Sequence, residues 1–150
     1  MIIIENEATD LTKPVTENYS FISNTEIENV ANKIFIKPLL FLENNLNPFT
    51  QDKRELPIYY GFPSQKRFIC VFEIPQGYEI ESVPNSIIIK TSNDVMTYNY
   101  RAIISENIIQ FSIVTEINSA LIHQDFYPEI KDFYKKIISK QNEQLVLIKK

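Results

Sequence analysis

Residues 108–118 constrain the fold more than any other stretch, because Ile109, Phe111, Ile113 and Ile117 alternate there with Gln110, Ser112 and Glu116. A period of two sends successive side chains to opposite faces, so the segment is a strand with one buried and one wetted face. Residues 67–74 repeat the pattern, with Phe68, Cys70, Phe72 and Ile74 on one face and Arg67, Ile69, Val71 and Glu73 on the other. Further strands are expected at 18–23, where Tyr19, Phe21 and Ile22 supply β-formers, and at 32–37, 78–83, 86–91 and 96–104. Ile74-Pro75-Gln76-Gly77 suits a type I turn, with proline at the second position and glycine at the fourth. Gly61 and Gly77 are the only glycines, so the other turns fall to Asn, Asp, Ser and Pro, as in Pro84-Asn85 and Ser92-Asn93-Asp94.

One helix interrupts this pattern. Phe126, Ile130, Phe133, Tyr134, Ile137 and Ile138 recur at helical spacing over 125–141, with Asp125 as the expected N-cap and Pro128 in the first turn. The lysines of this segment read as its solvated face. The final stretch, 144–149, carries Leu145, Val146, Leu147 and Ile148 without alternation, the pattern of a last strand that is buried on both faces or lies between neighbours. Residues 38–66 hold Pro38, Pro48, Pro57, Pro63 and several asparagines, too many breakers for a long helix or a central strand. A loop of that length needs pinning, and Leu39, Leu40, Phe41, Leu42, Phe49, Tyr59, Tyr60 and Phe62 are available for it. The expected architecture is mostly β, an antiparallel β-sandwich of Ig-like type with one amphipathic helix near the C-terminus and a strand after it. Residues 1–17 read as a lead-in or linker, and 18–150 as one sandwich domain.

Composition removes several function classes. Two glycines cannot build a phosphate cradle or a dinucleotide fingerprint. One cysteine and one histidine furnish neither a disulfide framework nor a structural zinc site, so no cofactor is expected. A net charge of −4 with scattered lysines argues against nucleic acid. No apolar run approaches the roughly 20 residues of a membrane span, and Met1-Ile2-Ile3-Ile4 meets Glu5 too soon for a secretory signal.

What chemistry remains is sparse. Cys70 and His123 are the materials of a thiol–imidazole pair oriented by Asp125, but Cys70 stands between Phe68 and Phe72 on a strand face, the setting of a buried structural thiol. Glu79 and Glu81 share a strand face and read as a solvated edge. Tyr59, Tyr60, Tyr98 and Tyr100 are the candidate binding residues, since aromatic platforms on sandwiches stack on sugars and peptides. Arg54 is expected as a buried fork donor to loop carbonyls or carboxylates. No catalytic constellation emerges, and the chain reads as a non-enzyme.

Five segments carry a resemblance: residues 35–41, FIKPLLF; Asn47-Pro48-Phe49; residues 53–63, KRELPIYYGFP; residues 74–84, IPQGYEIESVP; and residues 133–138 continuing through 144–150. From about Leu11 to Lys150 the chain resembles the C-terminal accessory domain (domain of unknown function 3858) of Bacteroidetes transglutaminase-like proteins. The resemblance implies a β-rich module that follows an N-terminal domain and a papain-like transglutaminase core, in parents exported to the periplasm or beyond. It gives Arg54, Pro57, Gly61, Pro75, Gly77 and Pro84 structural roles. The family's catalytic Cys, His and Asp lie in the core, and no segment here matches it. Where the family pattern has an aspartate after the arginine and proline, this chain has Tyr59. The implied role is structural or substrate-presenting, toward a transglutaminase-like core or another protein. The alternative is a carbohydrate- or peptide-binding module using its tyrosines.

Overall fold

The alternating segments find each other as antiparallel partners. The computed structural model describes residues 2–5, 12, 15–20, 22, 26–43 and 45–150. Its strands are β1 (Ile2–Glu5), β2 (Thr16–Tyr19), β3 (Ile27–Val30), β4 (Lys33–Ile36), β5 (Ile58–Tyr59), β6 (Ser64–Glu73), β7 (Tyr78–Ser82), β8 (Ile87–Lys90), β9 (Met96–Ser105), β10 (Ile108–Ile117), β11 (Leu121–Ile122) and β12 (Leu145–Lys149), with helix α1 (Tyr127–Gln141) before the last. Two four-stranded sheets, ordered β6-β10-β9-β8 and β3-β4-β12-β7, form the body, and β11-β5 and β1-β2 are two-stranded ribbons. The expected mostly-β architecture with a late helix and closing strand is the one observed.

In the first sheet, Phe111 faces Cys70 on β6 and Ala102 on β9, while Ser112 faces Ile69 and Arg101. This register turns every inward apolar residue of β10 to the same side, since a slip of one residue would reverse them all. Tyr98, Tyr100, Ile109 and Phe111 are essentially inaccessible there. Ile36, Leu145 and Leu147 of the second sheet and Ile130, Phe133 and Ile137 of α1 join the same core. Of the two readings of the last strand, the structure shows the second: β12 lies between β4 on one side and β7 on the other.

Several local expectations are corrected. Residues 2–5 form a strand where a lead-in was expected, pairing with β2, whose bounds are shifted N-terminally from 18–23; Phe21 and Ser23 lie outside the described residues. Strands β3, β5 and β11, four residues or fewer each, carry too little pattern to be read from sequence. The turn before β7 is one residue later than predicted: Tyr78 N–H donates to the Pro75 carbonyl at 3.1 Å, which puts Gly77 third, with φ of 85°. A positive φ at that position belongs to a type II turn and explains the glycine. Elsewhere Ala31, Leu40, Asn93, Asp94 and Glu106 adopt positive φ without being glycine.

Helix α1 begins two residues after Asp125. Residues 124–126 form a 3₁₀ turn capped by His123, whose Nδ1 accepts the Asp125 N–H at 3.4 Å. Pro128 sits in the first helical turn, where a missing N–H costs little. Glu129 ties the helix to the β8–β9 corner, accepting from Ser92 N–H at 2.7 Å and Ser92 Oγ at 2.9 Å. The long irregular segment packs along α1. Phe49 packs its ring 5.8 Å from Tyr127 and 5.2 Å from Tyr134, and Tyr127 Oη donates to the Gln51 carbonyl at 2.7 Å. Lys131 Nζ donates to the Gln51 carbonyl at 2.9 Å, and Asn47 Nδ2 returns a bond to the Lys131 carbonyl at 2.9 Å. Of the apolar residues expected to pin the segment, Leu39 and Phe49 are buried, whereas Phe41, Leu42, Tyr59 and Phe62 are exposed.

Candidate functional site

The four candidate tyrosines separate by strand parity. Tyr98 and Tyr100 point inward from β9 and are 0% and 1% exposed, so the expectation of a surface platform there is corrected. Both are core side chains, Tyr100 packing 5.9 Å from the Phe111 ring. Burial raises both hydroxyls above the usual phenol range, and for Tyr98 the neighbouring Gln141 amide offsets only part of this. Lys140 lies 5.0 Å above the Tyr100 ring and bonds Glu143 at 2.6 Å. Lys140 is therefore buried, at 6% exposure, where the helix lysines were expected on a solvated face. Its long stem covers apolar surface while the ammonium finds a π-face and a carboxylate.

Tyr59 and Tyr60 diverge in the same way. Tyr60 is half-buried; its hydroxyl lies 3.4 Å from that of Tyr134 and 4.0 Å from Met96 Sδ, and burial first, then the Tyr134 hydrogen bond, raise its pKa. Tyr59 is 74% exposed and stands opposite Leu121, itself exposed, on the β5–β11 ribbon. Of the four, Tyr59 alone presents a ring freely to solvent.

Cys70 and His123 are not brought together. Cys70 faces Phe111 across the β6–β10 ladder, half-buried, and burial pushes its thiol up, away from the thiolate a nucleophile needs. His123 is exposed and spends its Nδ1 on Asp125, with Asp125 Oδ2 3.2 Å away. Among the described residues no group of three or more His, Cys, Asp or Glu is placed to hold a metal ion, and no helix is long and apolar enough to cross a membrane. Glu81 is engaged by Lys33 at 2.6 Å.

Of the residues read as structural, one differs from its expected setting. Arg54 is exposed, not buried, and its Nε donates to the Leu56 carbonyl at 2.9 Å, bracing the loop locally. Pro84 is buried, Pro57 half-buried, and Gly61, with φ of 86°, holds the turn between β5 and β6.

A cleft of about 460 Å³ that the sequence did not announce opens between β6 and the end of α1. Leu39, Phe68 and Ile113 contribute apolar surface to its lining, and Lys66, Arg67, Thr115 and Gln141 polar groups. The outer face of the same sheet is a second feature: Ile69, Val71, Ile88 and Ile103 are 45–59% exposed on it. The alternation over 67–74 had placed Ile69 and Val71 together on one face of their strand.

A family model described as "Domain of Unknown Function with solved-structure structure (DUF3858)" matches residues 32–147, and the chain belongs to that family. Among solved structures, it is similar to the crystal structure of a "putative protease" from Parabacteroides distasonis ATCC 8503, with a TM-score of 0.55 at 11% identity. The likeness covers 65% of this chain and 19% of that one, so the chain spans well under two thirds of that protein's length. At such identity the shared property is the fold. No curated protein matches.

Proposed function

We propose that this chain is a non-catalytic accessory domain of a larger transglutaminase-like or protease-like protein, serving to brace the catalytic core or present substrate to it. The observation that carries the reading is the likeness of its sandwich to about a fifth of the Parabacteroides distasonis protein, 19% of that chain. The site geometry supports it from the other side. The thiol is half-buried and held as a neutral group, the imidazole is elsewhere, and two of the four candidate tyrosines are core. The sandwich offers rigid faces, which suit contact and positioning rather than bond chemistry. Deleting this domain from the intact larger protein tests the reading. A fall in the protein's melting temperature or in its turnover of a protein substrate is expected, and unchanged values of both would sink it.

The exposure of Tyr59 beside Leu121 favours a second reading, a peptide- or glycan-binding module on the β5–β11 ribbon. A glycan and peptide array probed with the wild-type chain and with Tyr59→Ala separates the two. Binding abolished by Tyr59→Ala, together with an unaffected deletion variant of the larger protein, would replace the first reading by this one.

A further inference from the structure

The edges of the two large sheets are not alike. An edge strand invites pairing with another chain unless it is short, bulged or interrupted by proline. Strands β3 and β8 have four residues each, and β7, five residues long, meets β12 across a register shift. Edge strand β6 has none of these protections: it runs for ten residues, pairs with β10 without a shift and contains no proline.

One bond fixes which backbone groups of β6 face outward. Ile74 N–H donates to the Asn107 carbonyl, on the β10 side, at 2.7 Å. Backbone groups alternate in direction along a strand, so Phe72, Cys70 and Phe68 also turn theirs to β10, while Glu73, Val71, Ile69 and Arg67 turn theirs to the open edge. The outward N–H and C=O groups of Arg67, Ile69 and Glu73 meet no partner among the described residues. The core is unfinished along the same edge. Phe68, Cys70 and Phe72 are only half-buried, whereas Ile113, Phe111 and Ile109 opposite them on β10 are 0–4% exposed.

The edge is complementary to itself. When two copies of β6 run antiparallel about a two-fold axis normal to the sheet, facing residues share a sheet face, which allows only registers that join residues of like parity. In the register with Cys70 facing Cys70, Arg67 stands opposite Glu73 and Ile69 opposite Val71 on the outer face, and Phe68 stands opposite Phe72 on the inner face. Centring on Ile69 sets Arg67 against Val71, and centring on Val71 sets it against Pro75, which has no N–H to donate. Both charges are available. Arg67 is exposed and makes no ion pair among the described residues, and Glu73, also exposed, accepts only a 3.4 Å bond from Asn107 on one oxygen.

We propose that β6 is a dimerisation edge: two copies of this chain pair antiparallel through residues 67–73, centred on Cys70, and join their four-stranded sheets into one continuous sheet. Each outward-facing pair exchanges both of its backbone bonds, Arg67 meets Glu73 on either side of the axis, and Ile69 and Val71 of one copy cover those of the other. Lys66, the charge on the inner face of the strand, falls outside the paired stretch. Charge complementarity selects a second copy over an unrelated extended segment, because this chain already carries the matching glutamate and arginine at the required spacing. A single strand pair buries less than about 1,200 Å² in total, so the dimer is of the weak, concentration-dependent class. The proposal goes beyond the accessory-domain reading and does not depend on it.

Sedimentation velocity of this 150-residue chain from about 5 to 500 μM tests it. A monomer–dimer equilibrium is expected, with the amides of Arg67, Ile69 and Glu73 increasingly protected from hydrogen exchange as concentration rises. Arg67→Glu and Glu73→Arg each set like charges opposite one another and should raise the dissociation constant at least about tenfold. Mixing the two single variants should restore dimerisation, since one then carries two acids where the other carries two bases. A chain that stays monomeric at about 500 μM overturns the proposal. So does a dimer that is indifferent to both substitutions, or one that leaves those three amides unprotected.

Discussion

Phe111→Ala tests the core on which the sandwich depends. Phe111 is 0% exposed at the middle of β10, with its ring 5.9 Å from both Phe72 and Tyr100. A buried phenylalanine removes about 150–250 Å² from water, which at about 25 cal/mol per Å² is worth roughly 4–6 kcal/mol, and the alanine methyl recovers a minor part. The two ring contacts, one edge-on to Phe72 and one tilted to Tyr100, add about 0.5–1.5 kcal/mol each, whereas relaxation of the cavity subtracts, so the cost falls near the measured range of about 3–5 kcal/mol. Against a typical total of about 5–15 kcal/mol, that is a large fraction of the stability. Urea unfolding followed by far-ultraviolet circular dichroism should show a midpoint lowered in proportion with an unchanged slope, and thermal melting should fall by roughly 6–20 °C. A loss below about 1.5 kcal/mol at unchanged slope would refute the argument, because it would mean the ring does not sit in a packed interior.

Alkaline pH should destabilise the fold through its buried acids. The folded-state pKa values of Cys70, Tyr98 and Tyr100 are raised, so their contribution is complete below the ordinary values of 9.0 and 10.0 and is lost as pH rises toward the folded values. Melting temperatures measured from pH 7 to 11 should fall above pH 9, less steeply in Tyr98→Phe and Tyr100→Phe. Glu106→Gly relieves a positive φ of 50° in the β9–β10 turn and should raise stability by about 0.5–1 kcal/mol, while Gly77→Ala, at φ of 85° with open space around it, should lower it by about 1–2 kcal/mol. Urea midpoints of the two variants check both signs. Native labelling of Cys70 by iodoacetamide should be slower than that of the unfolded chain by at least tenfold; rapid native labelling would revive the cysteine-nucleophile reading.

How much was legible from residues follows from where each pattern's partner lies. The long strands β6 and β10 were legible because alternation over 67–74 and 108–118 identifies a half-buried ladder without reference to the rest of the fold, although β6 starts at Ser64, inside the stretch read as irregular. The stripe of α1 did the same at helical spacing. The cap was missed because His123 and Asp125 are both competent acceptors two residues apart, and only the 3₁₀ turn decides between them. Tyr98 and Tyr100 share a face by spacing alone, but spacing does not say which face looks inward. Pairing with β10, whose Phe111 and Ile113 must be buried, fixed it.

By itself, the sequence determined the class of the fold, its long strands, its helix and the poverty of its chemistry, because local periodicity and composition are properties of neighbouring residues. Tertiary structure decided everything that depends on residues far apart in the chain. It took the tyrosines of β9 out of the candidate binding site, kept Cys70 from His123, and buried Lys140 over Tyr100. A strand pattern states only that two faces differ, and what each face meets is settled when the sheets pack.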